Sequence, residues 1–233
     1  MTDRSQGRRI VVVSGVGAHS DPWHALPATS AAIADVVGPE GEVTVATTDD
    51  VDRVPDADLL ILNVSGDLAE PPTRSAALVD AIAAHHERGR PLLALHSSSL
   101  AFRDDPRWSA ILGGRWVPGI TMHPQIGNAL VQATPAADLP ADAVPFDGDF
   151  LLYDERYTRL ETAPGSMVLA GHTEDGQSHP LAWWRSADEG RGAVVYDALG
   201  HGVEAYESLE HRAWLRTAAS ALLQPRSSQR GTE

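Results

Sequence analysis

Apolar residues in this chain gather into short runs separated by amphipathic or polar stretches. "RIVVVSG" (9–15) is β-branched and does not alternate with polar residues, the pattern of a strand covered on both faces. "EVTVATT" (42–48), "DLLILNVSG" (58–66) and "PLLAL" (91–95) read as further strands. Helical spacing fills the gaps between them. Residues 28–37 offer one helix, and 72–88 a second, with Leu78, Val79 and Ile82 on one face and Gly89 as its C-terminal stop. A short helix near 106–112 puts Trp108, Ile111 and Leu112 on one side. Strands alternating with helices predict an α/β fold: a three-layer, doubly wound, flavodoxin-like arrangement around a mostly parallel sheet.

The second half reads differently. Pro118, Pro124, Pro135, Pro140, Pro145 and Pro164 break up residues 118–165, leaving room for a strand near 127–133 and irregular connections. "SMVLAGHT" (166–173), "PLAWWR" (180–185) and "GAVVYDALG" (192–200) predict three closely spaced strands. Residues 207–223 predict a last helix, with Trp214, Ala218 and Leu222 four apart. One domain over residues 8–223 accounts for these elements; 1–7 are expected to be flexible and the polar tail 224–233 disordered.

In an open parallel sheet, ligands bind beyond the carboxyl ends of the strands. The residues that follow each apolar run are therefore the candidates. His19, Asp21 and His24 follow the first run; His96, Ser97, Ser98 and Ser99 follow "PLLAL"; Gly200 and His201 follow the last. A lone loop histidine is ordinarily an exposed residue or a hydrogen-bonded one. His96 and His201 stand at the ends of buried strands, where a polar side chain needs a partner, and are expected to share a pocket.

"TMHP" (121–124), "YDERY" (153–157) and "SHPLAWW" (178–184) add His123, Asp154, Glu155, Tyr157, His179 and Trp183. Asp154 and Glu155 would face opposite ways in a strand, so one of them enters the crevice. Trp183 and Trp184 divide between core packing, the commoner role, and stacking on a sugar ring. His85 and His86 fall on what reads as a solvated helix face, and His172 and His211 read as structural or exposed.

Two motifs point elsewhere and fail. "GVGAHS" (15–20) lacks the third glycine of a dinucleotide loop, and Pro22 and Pro27 delay the helix, so no nicotinamide is expected. "LHSSSL" lacks the glycines that flank a nucleophile elbow, and its serines suit capping better than attack.

Composition narrows the chemistry. The net charge is −14 and all 18 basic residues are arginine, which excludes nucleic-acid binding, Schiff-base chemistry and a P-loop lysine. The chain has no cysteine, so disulfides and a thiolate nucleophile are excluded, and any metal must sit on nitrogen and oxygen. No apolar run approaches the ~18–20 residues of a membrane span, and the polar N-terminus lacks a signal peptide's apolar segment. A soluble, cytoplasmic protein without membrane contacts is expected. The acidic surface and 6 tryptophans are compatible with a homodimer.

Taken in order, "LHSSSLAF" (95–102), "WSAILGGRW" (108–116), "MHP" (122–124), "DERY" (154–157), "HPLAW" (179–183) and "GRGAVVYDALGH" (190–201) resemble the trehalose-utilisation (ThuA-like) family. The likeness runs over residues 8–223. It implies a class I glutamine-amidotransferase-like fold and a role in carbohydrate metabolism on sugars oxidised to ketones, of 3-keto-glycoside type. "HSS" stands where amidotransferase relatives carry a cysteine, which excludes glutamine hydrolysis by a thiolate. The assignments that follow are His96, His201, Asp154 and Glu155 as catalytic groups. His24, Ser97, His123, Tyr157, His179 and Trp183 are assigned to substrate contact. His96 and His201 are also candidate ligands of a divalent metal such as zinc or manganese. The first functional reading is a sugar-modifying hydrolase, lyase or isomerase using acid–base or metal-assisted chemistry. The alternative is a non-catalytic sugar-binding or partner protein of a sugar oxidation pathway.

Overall fold

The computed structural model describes residues 7–66 and 75–224. The terminal segments expected to be flexible or disordered lie outside these residues, apart from Gly7 and Gln224, as do residues 72–74 of the second expected helix. The first half is built as the hydrophobic pattern requires. β1 (Arg9–Ser14), β2 (Glu42–Thr47), β3 (Leu59–Asn63) and β4 (Leu92–Leu95) pair in parallel in the order β2-β1-β3-β4. α1 (Leu26–Val37) connects β1 to β2, and α2 (Ala76–Glu87) lies between β3 and β4. The two connections run outward in opposite directions from β1 and β3. Right-handed crossovers therefore place α1 and α2 on opposite faces of the sheet. α3 (Pro106–Leu112) packs against α2, and α4 (Leu209–Leu222) against α1.

α3 shows how the sequence sets its own limits. The Asp105 carboxylate accepts the Arg107 N–H, and Pro106 begins the helix. Gly113 ends it at φ +77°, in the left-handed conformation that other residues resist.

The second half extends the parallel strands of the expected mostly parallel sheet with an antiparallel wing. β5 (Gly114–Arg115) and β8 (Glu161–Thr162) form a small separate ribbon. β6 (Gly127–Ala133), β7 (Phe150–Asp154), β9 (Met167–Glu174), β10 (Gln177–Arg185) and β11 (Val194–Asp197) complete a sheet of nine strands, ordered β2-β1-β3-β4-β11-β10-β9-β6-β7. β11 pairs in parallel with β4; every later neighbour in that order is antiparallel. Following the alternation outward from β11, only β10 and β6 run against the rest. β7, from the proline-rich stretch, thus ends on the same rim as β1, β4 and β11. Its burial alternates, with Phe150, Leu152 and Asp154 inward and Leu151 and Tyr153 exposed. That is the signature of a strand covered on one face.

The core is continuous, running from Ile10–Val13 through Leu59–Leu62 and Leu92–Leu95 to Trp183, Val194–Tyr196 and Trp214. Two expectations are corrected here. His85 and His86 are buried, not solvated. They continue the inward face of α2 set by Leu78, Val79 and Ile82, and the His85 Nε2–H donates to the Pro91 carbonyl at 3.0 Å. Trp183 is fully buried and has no face left for a sugar. Its indole N–H donates to the Leu112 carbonyl at 2.7 Å, and its ring lies 4.2 Å from that of Tyr196. Among the described residues no helix is long and apolar enough to cross a membrane.

Candidate functional site at the sheet rim

Four strands deliver polar side chains to one rim. β4 stops at Leu95, and the chain turns at His96, whose φ of +42° is left-handed and strained for a residue with a Cβ. The next three residues serve the turn. Ser97 donates to the Val64 carbonyl at 3.0 Å and Ser98 to Leu62 at 2.9 Å, while the Tyr196 hydroxyl donates to His96 O at 2.8 Å and lies 3.0 Å from Ser99 Oγ. Ser97 is thus a buried anchor between β3 and β4, with its hydroxyl already committed.

The His96 ring is buried. Its Nδ1 lies 2.6 Å from the Ala198 carbonyl oxygen, in the segment that follows β11. Its Nε2 lies 3.1 Å from His24 Nε2, 2.9 Å from the Tyr157 hydroxyl and 3.6 Å from Glu155 Oε2. Burial pushes the His96 imidazole down to about 4, so it is neutral at physiological pH.

His24 arrives from the segment after β1. Asp21 accepts the backbone N–H groups of Trp23 and His24, and its two oxygens lie 2.8 and 2.6 Å from His24 Nδ1. Ser65 also donates to Asp21. Burial works against the Asp21 carboxylate, yet these bonds hold it down at about 2. Sequence reasoning placed Asp21 at the rim without giving it a task. The Asp21–Pro22–Trp23–His24 spacing was the available signal, since an aspartate can bind the backbone N–H groups two and three residues on.

The adjacent carboxylates divide as strand geometry requires. Glu155, just past β7, points into the cluster: Oε2 lies 3.3 Å from His201 Nδ1, and Oε1 lies 3.5 Å from His123 Nδ1. Burial works against its charge, but hydrogen bonding to His201 and His96 holds it well below the usual carboxylate range. The same contact raises His201. Asp154 points inward and is buried. It accepts N–H groups from Gly200 at 2.6 Å, His201 at 3.0 Å and Glu155 at 2.9 Å. Burial pushes its carboxyl up to about 6, against those donors. Asp154 therefore supports the site from beneath, which fits the expectation that one of the pair enters the crevice.

Behind this loop, Asp197 and His211 form a fully buried pair at 2.7 Å. Gly200 has φ +109°, and a side chain there would strike the Tyr206 hydroxyl.

His24, His96, His201 and Glu155 each offer one donor atom, and these four atoms lie within 4.8 Å of one another. The rings of His24 and His201 are 4.8 Å apart, and those of His96 and His201 5.4 Å. His123 sits outside the four, with its side chain 40% exposed and its ring 6.3 Å from Trp116 and 6.2 Å from Tyr157. His179 stands apart on β10, beside His172, where its Nδ1 accepts the Arg159 N–H. His172 is structural: its Nε2–H donates to the Tyr157 carbonyl at 2.9 Å.

A layered α/β sheet with a histidine–carboxylate cluster at its carboxyl rim, and no cysteine at the turn after β4, defines a protein of glutamine-amidotransferase-like fold without the amidotransferase nucleophile. The chain belongs to the ThuA trehalose-utilisation family, whose profile matches residues 9–220. A ThuA-like protein from Parabacteroides merdae ATCC 43184 superposes with a TM-score of 0.75 at 13% identity, covering 96% of this chain and 92% of that one. A ThuA-like protein from Bacteroides uniformis ATCC 8492 gives 0.69 at 14% identity, covering 94% and 92%. The β-galactosidase from Rahnella sp. R3 gives 0.61 at 14% identity, covering 93% of this chain but 31% of that larger one. No match is found among curated proteins. Family membership places the chain among proteins of trehalose and carbohydrate utilisation.

Proposed function

We propose that this protein is an enzyme of carbohydrate utilisation that acts on a keto-sugar, of 3-keto-glycoside type, by moving a proton next to the carbonyl. The observation that carries the reading is the convergence of His24, His96, His201 and Glu155, from four separate segments, on one small volume. Aligning four polar groups at the end of buried strands is costly for folding and has no packing purpose.

The roles follow from position. The inner cluster and the Tyr157 hydroxyl face the place where a carbonyl oxygen would gather charge. The hydroxyl, 2.9 Å from His96 Nε2, is a donor that burial keeps protonated. His123, half-exposed beside Glu155 and outside the four-donor set, is the base. The His123 lone pair takes the proton from the carbon beside the carbonyl. That C–H electron pair forms the C=C bond, and the C=O pair moves onto oxygen as an enolate, held by the Tyr157 O–H. If the proton returns to the former carbonyl carbon while the hydroxyl proton of the neighbouring carbon passes to the enolate oxygen, the carbonyl moves by one carbon, as in an isomerase. If the C=O re-forms and the C=C pair shifts to the next carbon, its substituent leaves with the bond pair and takes the proton, as in a lyase.

The alternative reading of a sugar-binding protein relied on Trp183 or Trp184 stacking on sugar, and both indoles lie in the core. The test is wash-in of solvent deuterium. A 3-keto-glucoside incubated in heavy water with the protein should gain deuterium beside the carbonyl, followed by NMR. His123→Ala should slow the exchange by ~10²–10⁴-fold, the usual contribution of one acid–base group. Absence of exchange and turnover across 3-keto-glucosides and 3-keto-disaccharides would remove the reading.

A further inference from the structure

We infer that His24, His96, His201 and Glu155 form a binding site for one divalent transition metal of the zinc class, with Asp21 and the Ala198 carbonyl as the groups that orient its ligands. The inference deepens the proposed function, because it names the electrophile of that same site.

Hydrogen bonds on the far side of two imidazoles fix where their lone pairs point. A carbonyl oxygen can only accept, so His96 Nδ1, 2.6 Å from Ala198 O, carries its proton. The Asp21 carboxyl already accepts the backbone N–H groups of Trp23 and His24 and the Ser65 hydroxyl, so His24 Nδ1, 2.6 Å from its nearer oxygen, carries a proton as well. In the neutral rings both Nε2 atoms then present lone pairs, and they face each other at 3.1 Å. Tyr157 has one O–H and can satisfy only His96. The nearest charged group is the Glu155 carboxylate, 3.6 Å from His96 Nε2 and 3.3 Å from His201 Nδ1. Two opposed lone pairs beside a carboxylate call for either a proton or a metal ion among them, and the convergence of three imidazoles and one carboxylate on one point favours the metal ion.

The donor set and spacing say which cation. Three imidazole nitrogens and one carboxylate oxygen suit zinc and its neighbours, not calcium or magnesium, which prefer oxygen. Ligands at 2.0–2.1 Å around a tetrahedral ion stand about 3.3 Å apart. Three of the donor separations, 3.1, 3.3 and 3.6 Å, bracket that value, and the four donors all lie within 4.8 Å of one another. A carboxylate or carbonyl behind each ligating histidine is the usual companion of a metal site. Here Asp21 stands behind His24 and Ala198 O behind His96. Tyr157, released from His96 Nε2 when a metal takes that lone pair, becomes free to donate to a substrate oxygen.

The experiment uses full-length protein freed of metal by chelation and titrated with Co(II) and Zn(II). The expected result is one ion per chain, a visible Co(II) absorption of a nitrogen–oxygen site displaced by Zn(II), and a Zn(II)-dependent rise in Tm. His24→Ala and His201→Ala should each weaken Co(II) binding by at least 100-fold. Asp21→Asn, which touches no metal, should weaken it 10–100-fold. His19→Ala, a histidine on the same rim but outside the cluster, should bind as wild type. Absence of stoichiometric Co(II) and Zn(II) binding to wild type overturns the inference and assigns the His24–His96 contact to a shared proton. Equal loss in His19→Ala and His24→Ala overturns it too. If the histidine variants do not fold, the wild-type stoichiometry and Asp21→Asn still decide. Deuterium wash-in that survives chelation would sink the metal and spare the proposed function; tight Co(II) binding with no wash-in would do the reverse.

Discussion

Replacing Asp154 by asparagine tests whether this buried carboxylate holds the rim together. Its Oδ1 accepts the N–H groups of Glu155 and His201, and its Oδ2 that of Gly200, all at 2.6–3.0 Å. Asparagine keeps one acceptor oxygen and puts an NH₂ group where the other stood, so an N–H donor faces an N–H donor. A hydrogen bond to a charged group contributes about 1.5–3 kcal/mol, and stranding a buried donor costs a similar amount. Together these cost about 3–6 kcal/mol, against about 3 kcal/mol recovered because the ionised carboxyl, pushed up to about 6, is itself unfavourable at pH 8. A net loss of about 1.5 kcal/mol follows, which for a chain of this size lowers Tm by about 3–6 °C. The measurement is urea unfolding of both proteins at pH 8, well above the value of about 6 to which burial pushes this carboxyl. The urea midpoint should fall with the slope unchanged, since the surface exposed on unfolding is the same. NMR should show the Gly200 and His201 amides as the most displaced. Stability within about 0.5 kcal/mol of wild type, the range of ordinary surface changes, would refute the argument.

Acid should destabilise the fold through His85. Burial lowers its imidazole from 6.5 to about 4, so the unfolded chain binds the extra proton. The stability is present above pH 6.5 and is lost as pH falls towards 4, by up to about 3 kcal/mol. His85→Gln should flatten urea midpoints measured between pH 7 and 4.5; an unchanged slope would contradict this account. Tyr157→Phe should leave the fold intact and slow deuterium wash-in by ~10²–10³-fold, the loss seen when one donor to a developing oxyanion is removed. Wild-type exchange in that variant would leave the hydroxyl without a role.

The first half of the sheet was legible because each strand there carries its whole signal locally. Ile10–Val13 and Leu59–Leu62 are apolar on both faces, and only a central parallel strand meets that demand. The rule that ligands gather beyond strand carboxyl ends then named His24, His96 and His201. The antiparallel half was less legible. β7 alternates over only five residues among prolines, and its direction depends on β10, β9 and β6 between it and β11. That direction is what sends Glu155 to the same rim as the histidines. His85 and His86 were misplaced by their polarity, although the spacing from Leu78, Val79 and Ile82 already put them on the inward face.

Residue identity by itself determined which chemistry is available: imidazole and carboxylate, with no thiol and no lysine amine. Periodicity determined the central strands and the rim that their ends define. Only the tertiary structure decided which groups meet, that Glu155 faces the cluster while Asp154 holds it from below, and which ring nitrogens carry protons. Those outcomes rest on contacts between residues as far apart in sequence as His96 and Ala198. No local pattern encodes such a contact, because its geometry is the sum of every strand order, crossover and register between them.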